Sequence, residues 1–203
     1  DYRGSGHFSA RLTTGIVAAG CIAKKMLKDI SIQAEVIEIG GEKNIELGLQ
    51  KAIDANDSVG GIIACKVNGL PNGLGEPYFN SLESMLSHLI FAIPAVRGIE
   101  FGSGFAAANM HGSEHNDSIE NSEGKTKTNH AGGIVGGISN GNELIFRIAV
   151  KPASSTPKAQ ESLNWETGSV ESFSVEGRHD LCVALRATVI VEAATAIVLA
   201  DCM

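Results

Sequence analysis

The chain has 203 residues, a formal net charge of −7, 43% hydrophobic and 19% charged content, 24 Gly and 5 Pro. That length suits one ordinary domain or at most two small ones, and so apolar a composition excludes disorder as the default. The acidic balance argues against a nonspecific nucleic-acid binder, yet leaves room for an anionic ligand wherever Arg and Lys cluster locally.

No apolar run reaches the roughly 18 residues that would span a bilayer. Cys21, Cys65, Cys182 and Cys202 stand far apart with no C-x-x-C. Neither a zinc site nor a disulfide framework is read from them, and a reducing cytosol is the expected compartment. The chain opens at Asp1 in a polar, Gly-rich turn with no secretory leader, and further residues upstream are expected.

In chain order, residues 9–30 predict a helix. Ser9 is its N-cap, and Leu12, Ile16, Ala19, Ala23, Met26, Leu27 and Ile30 recur at helical spacing. Gly15 and Gly20 each cost that helix about 1 kcal/mol relative to Ala, which implies a packed neighbour close by. Residues 32–39 alternate as a half-buried strand. Residues 43–56 read as an amphipathic helix with Ile45, Leu47, Leu49 and Ile53 on its apolar face. Residues 58–67 are β-rich, and 69–77 form a dense turn region.

Asn80 and Glu83 resemble a capping box. The helix they open carries Phe79, Leu82, Met85, Leu86, Leu89, Ile90 and Ile93, and Pro94 ends it. Residues 96–101 form a short strand. Residues 102–133 are a long polar stretch of the kind that is functional or mobile. Residues 143–150 alternate as a strand, 153–170 read as polar connection, and 186–203 as a buried helix apolar on almost every side. The alternation gives an α/β layered domain over 1–203, with strand direction undetermined.

Four clusters combine small residues with charge. Residues 3–11 lead Arg3, His7, Phe8, Ser9 and Arg11 into a helix start, either an anion site or an ordinary capped helix with solvated arginines. Residues 129–141 hold paired glycines, including Gly136, that admit a ligand close to backbone or simply make turns between strands. Lys151, Pro152, Ala153, Ser154 and Ser155 offer one ammonium and two hydroxyls at a strand end, a phosphate clamp or a solvated terminus. Arg178, His179 and Asp180 place cation, imidazole and carboxylate in succession, suited to proton transfer or to a local surface ion pair.

Other features carry less. His88 reads as a helix-face residue. His111, Glu114, His115 and Asp117 lack a ligand spacing, so no metal is assigned. Trp165 is a lone aromatic in a chain with 5% aromatics, which speaks against a base-stacking platform.

Taken in order, eight segments resemble the chorismate synthase family: residues 3–13 (RGSGHFSARLT), 57–61 (DSVGG), 70–79 (LPNGLGEPYF), 93–105 (IPAVRGIEFGSGF), 111–117 (HGSEHND), 128–141 (TNHAGGIVGGISNG), 151–155 (KPASS) and 177–182 (GRHDLC) with Arg186-Ala187. The resemblance implies an α+β fold, a β-α-β sandwich, assembled as a homotetramer. It implies a lyase that takes phosphate and a proton from 5-enolpyruvylshikimate 3-phosphate to give chorismate, with reduced FMN (FMNH2) as cofactor. The electron source is left open between an intrinsic NADP-linked activity and a flavin reductase partner.

By the same resemblance, flavin contacts fall at His7, Phe8, Ser9, Pro94, Ala95, Gly136, Lys151, Pro152, Ala153, Ser154, Ser155 and Arg178. Substrate contacts fall at Arg11 and Arg178, and Asp180 is the carboxylate that assists proton removal. No membrane and no nucleic-acid partner is implied. There are departures: His7, Leu12, Thr156 and Leu181 stand where Arg, Glu, Ile and Pro are frequent, and the stretch 39–45 is short. The family's upstream third, with two general-acid histidines in G-E-S-H-G and R-P-G-H-A-D segments, has no counterpart here. Rival readings are an inactive flavin- or phosphate-binding module and a structural oligomerisation fragment.

Overall fold

A computed structural model describes residues 9–203. Four strands form an antiparallel sheet in the order β1-β2-β6-β3, where β1 is Ser31–Ile39, β2 Gly61–Asn68, β3 Val96–Phe101 and β6 Leu144–Val150. Strand β6 alternates: Leu144, Phe146, Ile148 and Val150 are buried, and the side chains between them are more exposed. The Phe146 ring packs on Phe101 at 5.6 Å between centroids. On the other face Arg147 pairs with Glu100 at 2.9 Å and Lys66 with Glu35 at 3.4 Å.

The helical layer is built around α5, Ala184–Asp201, which packs against β1, β2, α1 (Thr13–Met26) and α3 (Leu82–Phe91). Its small residues let neighbours come close. A Cβ placed on Gly20 of α1 would lie 2.4 Å from Ala193 Cβ, so the two helix backbones are nearly in contact there. The packed neighbour expected at Gly20 is therefore Ala193, whereas nothing lies within 4 Å of a Cβ at Gly15. Ala34 N–H of edge strand β1 donates to Glu192 Oε1 at 2.9 Å, tying the sheet to α5. Cys65 lies in the same core beside Thr195, and burial pushes its thiol up to about 12.

Several expectations need correction. The first helix is shorter than 9–30: a 3-10 turn at Ala10–Leu12 feeds α1, which stops at Met26. Leu12 and Met26 are exposed, because the buried seam of α1 runs along Gly20 and Ala23. Helix α2 (Ile45–Asp54) likewise buries Gly48 and Ala52, leaving Leu47 and Ile53 exposed. The cap of α3 is Ser81, whose hydroxyl accepts from Ser84 N–H at 3.1 Å, and Asn80 belongs to the preceding 3-10 turn.

The connection at 153–170 contains strand β7 (Gln160–Leu163), paired antiparallel with β8 (Val170–Phe173). All eight of their side chains are exposed. The short 39–45 stretch is a closed turn, with Ile39 and Glu42 exchanging two backbone hydrogen bonds at 2.9 Å.

The long polar stretch holds a 3-10 turn (Gly104–Asn109) and a short helix, α4 (Gly112–His115). Asp117 braces it by accepting from His130 N–H, Ala131 N–H and Thr128 Oγ1–H at 2.7–2.9 Å. Burial is the largest influence on the Asp117 carboxyl and raises it. The hydrogen bonds together with nearby His130 outweigh burial and hold the group below its ordinary value.

Candidate functional site

Ser9 takes an extended backbone (φ −88°, ψ 139°), and its Oγ accepts from Arg11 N–H at 3.2 Å. This is the expected N-cap, although it caps a 3-10 turn that then continues as α1. Leu12 N–H and Thr13 N–H bond back to the Ser9 and Ala10 carbonyls, so what this start offers an anion is the positive end of the helix dipole.

A cavity of about 570 Å³ opens at this start. Ser9, Arg11, Pro94, Arg178, Asp180 and the first turns of α5 line it. Arg11, Arg178 and Arg186 outnumber the one carboxylate, so the pocket is cationic in an acidic protein. Asp180 Oδ1 sits 3.0 Å from Arg186 Nη2. Both side chains are largely open to water, so the pair adds orientation more than stability.

Ile93 and Pro94 form the next wall, with Ala95 following directly in the chain. Val96 N–H returns to the Ile93 carbonyl at 3.3 Å, and Ala95 sits at φ 74°. A turn with Pro at its second position and a left-handed third position ordinarily takes Gly or Asn there. Ala95 is thus strained by roughly 1–2 kcal/mol. Its carbonyl accepts from Lys151 N–H at 2.8 Å, which joins the cavity wall to the 151–155 segment. Lys151 Nζ donates to Ser154 Oγ at 2.6 Å and to the Pro152 carbonyl at 3.3 Å.

Two bonds from one short run draw the remaining pieces together. Ser58 Oγ donates to the Ala153 carbonyl at 2.6 Å, and Val59 N–H donates to the Leu181 carbonyl at 2.8 Å. A second hollow of about 450 Å³, lined by Asn56, Asp57, Ser58, Pro157 and residues 177–181, shares Arg178 and Asp180 with the first, and the predicted residues 151–155 line neither of the two. His179 Nε2 is 2.8 Å from the Val175 carbonyl, so its imidazole braces the turn by donating there.

Gly136 is elsewhere. It forms the tip of a two-residue hairpin between β4 (Ile134–Val135) and β5 (Ile138–Ser139), with Gly136 at φ 61° and Gly137 at φ 88°. That turn type needs left-handed residues at both positions, which accounts for the glycine pair without a ligand. Gly136 lines a separate depression of about 790 Å³, with Asn72, Asp117 and Asn140 on its walls. His7 and Phe8 lie outside the described residues. Sequence reasoning assigned no role to Asp57, Thr156 or Arg186. Asp57 and Arg186 stand in stretches already singled out by resemblance, and Thr156 directly follows one, which was the signal available.

Fold and cavity together define a class: an α+β protein that gathers arginines, a capped helix start and one carboxylate around one cationic cavity. The family model described as chorismate synthase matches residues 1–203. A chorismate synthase of Chitinophaga pinensis is 62% identical over 204 residues, covering 100% of this chain and 61% of the relative. One from Dehalococcoides mccartyi is 41% identical over 232 residues, covering 99% and 64%. A crystal structure of a chorismate synthase matches with a TM-score of 0.78 at 25% identity, covering 96% of this chain and 63% of that one.

The chain belongs to the chorismate synthase family. It spans a little over three fifths of the length of these curated relatives. The Chitinophaga alignment needs 204 positions where the Dehalococcoides one needs 232, so the former relative shares this chain's compactness.

Proposed function

We propose that the protein is a lyase that converts 5-enolpyruvylshikimate 3-phosphate to chorismate and phosphate by 1,4-elimination, with reduced FMN, in the shikimate pathway. The observation that carries this reading is the convergence of Ser9, Arg11, Pro94, Arg178 and Asp180 on one cationic cavity. The guanidinium groups of Arg11, Arg178 and Arg186 beside the positive end of a helix dipole fit a flavin phosphate and a phosphorylated sugar acid. The Lys151 ammonium with the Ser154 hydroxyl, joined to the cavity wall through Ala95, would supply a further phosphate contact.

Ser9, Pro94, Ala95, Lys151–Ser155 and Arg178 would hold the flavin, and the family resemblance implies the same role for His7 and Phe8. Reduced FMN, when bound, supplies electron density as phosphate leaves and recovers it as the proton is lost, with no net redox change. Arg11 and Arg178 bind the substrate's anionic groups and offset the charge that develops on departing phosphate. Asp180 assists proton removal as a general base, and Arg186 orients its carboxylate.

In a homotetramer Gly136, remote from the cavity of its own protomer, would reach a flavin across a subunit contact. The free cysteines suit a reducing cytosol. No helix among the described residues is long and apolar enough to cross a membrane. Electrons come from NADPH through an intrinsic activity or from a separate flavin reductase.

The test is anaerobic turnover of 5-enolpyruvylshikimate 3-phosphate with reduced FMN, following phosphate and chorismate. Stoichiometric release of both is expected. Flavin binding without turnover would reduce the protein to an inactive binding module. Absence of flavin binding would leave only a structural role.

A further inference from the structure

Helix α2 closes with a defined motif. Asn56 adopts φ 49°, its N–H returns to the Ile53 carbonyl at 2.9 Å, and Asp57 N–H returns to the Ala52 carbonyl at 3.1 Å. Such paired bonds stop a helix and fix the direction of the residues that follow. Here they deliver the Asp57 carboxylate to the base of the 151–156 segment. Asp57 Oδ1 accepts from Ser58 N–H at 2.8 Å and from Thr156 Oγ1–H at 2.8 Å, with Lys158 Nζ 3.6 Å from Oδ2.

Thr156 is 7% exposed, so a hydroxyl deprived of Asp57 has little water to turn to. The next two residues bond outward, Ser58 to Ala153 and Val59 to Leu181. One short run thus grips two segments. One is 151–156, bonded through Lys151 N–H to the Ala95 carbonyl next to the cavity residue Pro94; the other is the chain at Leu181, next to the cavity residues Arg178 and Asp180.

We infer that Asp57 and Thr156 form a latch, a pair of positioning residues that seats the 151–155 segment against Arg178–Asp180 and thereby sets the affinity of the flavin cavity. The latch acts through these two segments, and its effect on flavin rests on the function proposed above. The bond from Thr156, then that from Ser58, holds the Asp57 carboxyl below its ordinary value against the opposing pull of burial, and Lys158 adds to the effect. The carboxylate therefore stays ionised and accepting across the neutral range.

The test compares Thr156→Val, Thr156→Ser and Asp57→Asn with the unaltered protein. FMN affinity is read by fluorescence quenching, and amide exchange over 151–158 is read without flavin. Thr156→Val should weaken FMN binding by about tenfold, the scale of one lost hydrogen bond to a charged group, and speed exchange across the segment. It should shift the visible spectrum of bound FMN. Thr156→Ser should restore affinity and spectrum to within about twofold, because it keeps the hydroxyl. Asp57→Asn should resemble Thr156→Val, and combining the two should add little.

FMN affinity and exchange unchanged in Thr156→Val would overturn the latch. So would equal losses in the Ser and Val variants, which would reduce Thr156 to packing. If the unaltered protein binds no FMN, the proposed function fails, and amide exchange still decides the latch on its own.

Discussion

Alanine is the better helix former, yet Gly20→Ala should destabilise this protein. A methyl on Gly20 would lie 2.4 Å from Ala193 Cβ and 2.5 Å from Ala193 Cα, where carbon–carbon contacts settle at about 3.5–4.0 Å. Helices α1 and α5 would have to part by about 1 Å or more. Overpacking of this kind costs about 1–3 kcal/mol, and the gain in helix propensity returns about 0.5–1 kcal/mol. The expected net loss is centred on about 1 kcal/mol, within a span of about 0–2.5 kcal/mol.

Gly15, in the same helix, has open space where a Cβ would go, so Gly15→Ala should gain about 0.5–1 kcal/mol. Urea unfolding of the two variants reads the contrast directly. Ala193→Gly should recover only a small part of the loss in Gly20→Ala, since it removes the Cβ but leaves the position-193 Cα 2.5 Å from the added methyl. The crossing also matters to the site, because Arg11 precedes α1 and Arg186 lies in the first turn of α5. If Gly20→Ala proves as stable as Gly15→Ala, the close α1–α5 crossing is wrong, and with it the placement of those arginines.

Three further outcomes are expected. Asp180→Asn should lower turnover by about 10²-fold or more while leaving FMN affinity nearly intact; unchanged turnover removes Asp180 from the chemistry. Lys151→Ala should weaken FMN binding by about 1.5–3 kcal/mol, read by titration, and equal affinity would place the ammonium outside the flavin site.

The third concerns pH. Asp117 is held below its ordinary 3.8 in the folded chain, so its bonds stabilise the 102–133 stretch above that value and are lost as pH falls through the lowered one. Proteolysis or amide exchange of the stretch should therefore quicken at pH values below about 4, and Asp117→Asn should flatten that dependence. Acceleration on raising pH instead would reverse the sign and refute it.

The legible parts of this fold were those where one-dimensional pattern and burial coincide. The apolar run 186–203 became α5 because small and branched apolar residues surround its whole circumference. Ser9 capped as expected because the hydroxyl bond is local. Glycines 15 and 20 look alike in sequence, and only the third dimension puts Ala193 against one of them.

Apolar spacing over-called burial in α1 and α2, where a glycine-lined seam lets backbone pack and leaves Leu12, Met26, Leu47 and Ile53 outside. The β7–β8 hairpin gave no signal because none of its strand side chains is buried. The order of 102–133 rests on side chain-to-backbone bonds from Asp117, which leave no periodicity to read. Asp57 and Thr156, 99 positions apart, meet only through the turn that closes α2.

Amide exchange with and without reduced FMN, resolved peptide by peptide under anaerobic conditions, bears most directly on the shared cavity. Protection is expected together at 9–11, 94–96, 151–156 and 178–187, with the β7–β8 hairpin unaffected. Protection confined to one of those segments, or appearing only around the 102–133 stretch, would contradict a single flavin cavity assembled from them.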